Sequence, residues 1–148
     1  MIIFSSIFGF GIGWGKPCPV NPYNLRPGPK TGMALVAAAG PVSNLVVATF
    51  IASLLQLPIG LSGSVDDLLG VLVIVNVSLA FFNLIPVPPL DGFSVLLGLL
   101  PDRLAYSIAG LQQYGAALLL MLIFFGQGFI GGFIRLFAVP FLRLIGYA

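Results

Sequence analysis

MALVAAAGPVSNLVVATFIASLLQL, residues 33–57, runs for 25 residues without a charged side chain. A helix needs ~20 apolar residues to cross the ~30 Å hydrocarbon core of a bilayer. The stretch is therefore predicted to span a membrane. Gly40-Pro41 lies inside it and is expected to kink the helix. Ala37, Ala38, Ala39, Gly40, Ser43 and Ala48 are small enough to let another helix approach closely.

The rest of the chain agrees with that environment. Of its 148 residues, 59% are hydrophobic and 7% are charged. A soluble domain carries roughly 25% charged residues, so a water-facing surface is excluded. The bases are Lys16, Arg26, Lys30, Arg103, Arg135 and Arg143, and the acids are Asp66, Asp67, Asp91 and Asp102. A net charge of +2, this scattered, gives no groove for nucleic acid. Neither His nor Glu occurs. That removes every His- or Glu-based general base and every His-ligated metal site made by these residues alone. Cys18 is the single cysteine, so no internal disulfide forms. A thiol without a neighbouring base is a poor nucleophile, and Cys18 is expected to be incidental.

Outward from the first span, the chain divides by composition. Met1 to Gly13 is apolar, without a basic leader region or a small-residue cleavage site, and is unlike a signal peptide. It resembles the tail of a helix whose beginning is missing, or a re-entrant segment. Residues 14–32 hold five prolines, at 17, 19, 22, 27 and 29, which forbid a helix and predict a structured loop. Residues 66–100 open on Asp66-Asp67, acids suited to a helix N-terminus, and run apolar to Leu84. Ile85-Pro86-Val87-Pro88-Pro89-Leu90-Asp91-Gly92 then interrupts the helix, and Phe93 to Leu100 resumes it. Irregular backbone at membrane depth is tolerated only where protein buries it or it lines a cavity. Residues 104–125 form another span, with Gln112, Gln113 and Tyr114 expected at an interface. Residues 133–147, interrupted by Pro140, are expected to be an interfacial or short helix. The expectation is one all-α domain over 1–148: a polytopic bundle of three to four membrane helices, broken around Pro86–Asp91.

Lys16, Arg26 and Lys30 crowd the loop before the first span, and the following turn has no base. The positive-inside tendency places loop 14–32 on the cytoplasmic side. Counting ~1.5 Å per residue from each end then sets Gly40, Asn44 and Asp91 at similar depth, in the cytoplasmic half.

Asp91 is the residue on which chemistry turns. A carboxylate among spanning segments is costly unless paired, solvated or bound to a metal. It is a metal ligand, a proton carrier or the cap of the helix from Phe93 onward. Asn44 is either a functional amide or one side of an interhelical hydrogen bond, and Asn83 has the same two readings.

Three motifs together resemble a family. Asn83 to Gly92, with Pro86, Pro89, Leu90 and Asp91 at their places, resembles the Asn-Pro…Leu-Asp-Gly motif of the site-2 proteases, the intramembrane zinc metalloproteases. Gly40-Pro41-Val42-Ser43-Asn44 resembles their Gly-x-x-x-Asn motif. Lys16-Pro17-Cys18-Pro19-Val20-Asn21-Pro22 resembles a loop of the compact prokaryotic branch. The resemblance implies that Asp91 is the third zinc ligand and that Asn44 and Gly40 lie on the substrate. It also implies a transmembrane protein substrate and a prokaryotic cell membrane around the enzyme. The family's His-Glu-x-x-His, which supplies two zinc ligands and the base that activates water, has no counterpart here. The chain is therefore expected to be the C-terminal portion of such a protease, inactive alone. The alternatives are a non-catalytic membrane adaptor and a small transporter subunit that uses Asp91 at a broken helix.

Overall fold

The computed structural model describes residues 25–57 and 63–147. The expected features at Met1 to Gly13, Lys16 and Cys18, and the loop up to Asn24, lie outside the described residues. Among the described residues five helices form: α1, Pro29–Leu55; α2, Gly63–Asn83; α3, Asp91–Leu99; α4, Asp102–Phe125; and α5, Gln127–Leu144. Among the described residues there is no strand. α1, α2, α4 and α5 are each long and apolar enough to cross a membrane.

The largest shifts from the sequence-based expectation are at the starts of the first and last helices. α1 starts at Pro29 rather than Met33. Pro at the first helical position loses no intrahelical bond and brings φ already set for a helix, so the end of the expected loop becomes helix. The same helix continues through Pro41, which is buried. The last helix starts at Gln127 rather than 133, and contains Gly128, Gly131, Gly132 and Pro140. Glycine and proline are tolerated in apolar helices because neighbouring groups satisfy the freed backbone. The segment thus reaches spanning length instead of remaining a short interfacial piece.

The core is small and apolar. Ala48 and Ala52 of α1, Val73 and Val77 of α2, and Ala138 of α5 are buried together. Alanines at the crossing let the backbones approach closely. Around them, Phe81 of α2 stacks on Phe137 with ring centres 5.9 Å apart and meets Phe141 edge-on at 6.1 Å. At the other end, Tyr147 sits over Gly70, and Gln56 donates from Nε2 to the Ile145 carbonyl at 2.7 Å. Phe137 thus meets the end of α2 while Tyr147 meets its beginning, so α5 runs antiparallel to α2. Side chains facing away from this core are apolar and exposed, among them Val46, Phe50, Val71 and Leu136, as a lipid-facing surface requires.

Candidate functional site

The helix break is built by its prolines and buried by its apolar residues. Pro86, Pro88 and Pro89 carry no N–H, so α2 cannot extend past Asn83. The chain turns instead through Val87 N–H to Ile85 O at 2.8 Å and Leu90 N–H to Val87 O at 3.0 Å. Ile85 is fully buried and Leu90 and Phe93 nearly so. These three side chains pin the break to the bundle. Gly92 closes it. A methyl group there would lie 2.6 Å from the Ile85 carbonyl oxygen and closer still to that of Leu84, so only glycine lets the start of α3 press on this backbone.

Asp91 is therefore the first residue of α3, held at the mouth of a rigid bend. The Leu90 side chain makes no cap bond to α3. A methyl group on Gly40 would sit 3.2 Å from Oδ2 of Asp91. Gly40 thus keeps α1 open where the carboxylate rests. Asn44 lies one turn further along α1, half-buried, and Asn83 ends α2. Among the described residues, Asp91 has no cationic partner; the one ion pair is Lys30 with Asp102 at 2.7 Å.

The register of α1 on α3 is fixed by three contacts. The Lys30 ammonium donates to the Leu100 carbonyl, Ala34 packs on Gly98, and Gly40 meets Asp91. Numbers rise along α1 as they fall along α3, so the two helices are antiparallel. In the sequence Lys30 reads as a topogenic charge, and Asp102 is one of four scattered acids. Here they tie the start of α1 to the α3–α4 turn. Beside this tie lies an open cavity of about 440 Å³, lined by Lys30, Met33, Ser94, Leu97, Asp102 and Tyr106.

A catalytic zinc takes three protein ligands and one water. Asp91 offers one oxygen donor. The sequence has no histidine, and among the described residues no three His, Cys, Asp or Glu side chains come together. The described residues do not by themselves fit a catalytic zinc ion.

Comparison with known proteins places this arrangement. Residues 58–125, which contain the break and Asp91, match the model of peptidase family M50. YwhC of Bacillus subtilis (strain 168), named as a candidate zinc metalloprotease, is 33% identical over 121 residues, covering 76% of this chain and 54% of YwhC. The chain thus spans about half the length of the curated relative it matches. No solved structure matches it. A proline-built break ending in Leu90-Asp91-Gly92, the family match across it and the relative that extends over most of the chain have one conclusion: the chain belongs to peptidase family M50, the site-2 protease family.

Proposed function

We propose that this chain forms one wall of the active centre of an intramembrane zinc metalloprotease that cleaves transmembrane protein substrates. The observation that carries it is the Asp91 carboxylate, set against Gly40 at the rigid bend between α2 and α3. In this reading Asp91 is one zinc ligand. The remaining ligands and the base that activates water come from residues that this sequence does not contain, and the chain alone is inactive. Gly40 and Asn44 flank the carboxylate on α1 and face the substrate, whose helix must unwind to expose a peptide bond. Asn83, Pro86, Pro89, Leu90 and Gly92 build the bend that holds Asp91. The segment that precedes α1 and the first turn of α1, with Lys16, Arg26 and Lys30, lie on the cytoplasmic side of a prokaryotic cell membrane by the positive-inside tendency.

A carboxylate in this position would be costly without a role, and metal ligation is the role this reading gives it. The test is the full-length protein, expressed in a host lacking its own copy, with peptides released from the membrane fraction identified by mass spectrometry. Asp91→Ala should abolish the released peptides that wild type produces. Release at the wild-type rate would overturn the assignment, and the adaptor or transporter reading would replace it.

A further inference from the structure

α4 carries polar residues, Gln112 and Gln113, inside a helix long and apolar enough to cross a membrane. α3 and α4 form a helical hairpin that turns at Leu100-Pro101. Its far end is closed by Gly115, where a methyl group would lie 3.4 Å from both Cβ and N of Pro89. The paired numbers sum to about 203 at both ends, 101 with 102 and 89 with 115. On that register Leu97 stands opposite Tyr106, and both line the open cavity beside the turn of the hairpin. Gln112 lies one 3-10 turn before Gly115, and Asp91 two residues after the Pro89 that Gly115 meets, so the same register, carried inward from that contact, pairs Asp91 with Gln112.

Two independent observations mark Gln112. Gly110–Tyr114 is a stretch of 3-10 helix inside α4, and a mid-helix 3-10 segment often marks a functional irregularity. In a 3-10 turn residues i and i+3 eclipse, so Gln112 shares the face that Gly115 turns to Pro89, the face toward Asp91. Gln112 is also exposed, within a segment otherwise apolar enough to cross a membrane. A carboxamide turned to lipid loses its hydrogen bonds, at a cost of several kcal/mol. One turned into a cleft keeps them.

We propose that Gln112 contacts the substrate directly. The cleft between α3 and α4 has its mouth at Lys30, Tyr106 and Leu97, its closed end at Pro89 and Gly115, and Asp91 and Gln112 on facing walls beside that end. Its occupant is an extended peptide segment, the unwound part of a membrane substrate. Such a segment has unpaired backbone N–H and C=O groups, and a carboxamide both donates and accepts. This assignment rests on the protease reading of Asp91.

The experiment uses the full-length protein. Cys18 is replaced by Ser, single cysteines are introduced, and labelling by a membrane-impermeant maleimide is followed in permeabilised vesicles. Gln112→Cys should label at least tenfold faster than Leu120→Cys, an exposed apolar position on the same helix. Release of membrane peptides should fall tenfold or more in Gln112→Ala and recover in part in Gln112→Asn. Equal labelling of the two cysteines would overturn the cleft. Fast labelling of Gln112→Cys with undiminished release by Gln112→Ala would overturn the substrate contact. Asp91→Ala is measured in parallel: release by that variant refutes the protease reading, whereas its loss beside a fully active Gln112→Ala refutes only the role of Gln112.

Discussion

Replacing Gly92 by Ala should uncouple activity from stability. The added methyl group would lie 2.6 Å from the Ile85 carbonyl oxygen, whereas a carbon–oxygen contact normally needs about 3.3 Å. The atoms it meets are backbone, pinned by buried Ile85 and Leu90, so α3 must move by roughly 0.7 Å or more. Overpacking of this kind costs about 1–3 kcal/mol. Alanine regains about 0.5–1 kcal/mol of helix preference over glycine, which leaves a net loss of roughly 0–2.5 kcal/mol. Asp91 precedes Gly92 and moves with it. A displacement near 1 Å can cost about 100-fold in rate. Gly92→Ala should therefore lower peptide release by about 10- to 100-fold while the protein still inserts and folds. The assay pairs thermal unfolding in detergent with release of membrane peptides. Gly128→Ala is the control, since a methyl group there meets nothing within 4 Å and should leave release unchanged. Wild-type release by Gly92→Ala would refute the claim that this close approach sets the position of Asp91.

Further outcomes follow from other contacts. Gly40→Val should cut release more than Gly40→Ala, because the first methyl already lies 3.2 Å from the Asp91 carboxylate; equal activity of both would contradict their adjacency. Val73→Ala, in the fully buried core, should cost about 1–3 kcal/mol, read as a lowered midpoint in detergent unfolding. Lys30→Ala removes an ion pair whose side chains are 35% and 76% exposed. It should cost no more than about 1 kcal/mol, and raising salt should weaken the wild type toward the variant.

How much of this was legible beforehand depends on the range of each interaction. The apolar runs announced α1, α2 and α4 because hydrophobicity is a local property of the sequence, and the prolines between Ile85 and Asp91 announced the break for the same reason. The start of α1 at Pro29 was missed because proline signals both loop and first helical turn. Lys30 looked like a topogenic charge because its partners, Leu100 and Asp102, stand 70 and 72 residues away. The contact of Gly40 with Asp91 was approached through equal depth, which brings residues to one layer without saying that they touch. Gln112 reads as an interface residue by its polarity, and the Gly115–Pro89 approach that fixes the register of α4 is a contact between distant residues that the sequence does not show.

The most direct test of the account is metal binding by the full-length protein. Purified wild type and Asp91→Asn are dialysed against buffered zinc, and bound metal is measured by mass spectrometry, with Asp66→Asn, an exposed acid at the start of α2, as control. Wild type and Asp66→Asn should each hold roughly one tightly bound zinc per chain, as expected of a three-ligand site. Asp91→Asn should bind it at least tenfold more weakly with its thermal unfolding otherwise little changed. Zinc bound equally well by Asp91→Asn would contradict the assignment of Asp91 as a ligand and with it the proposed active centre.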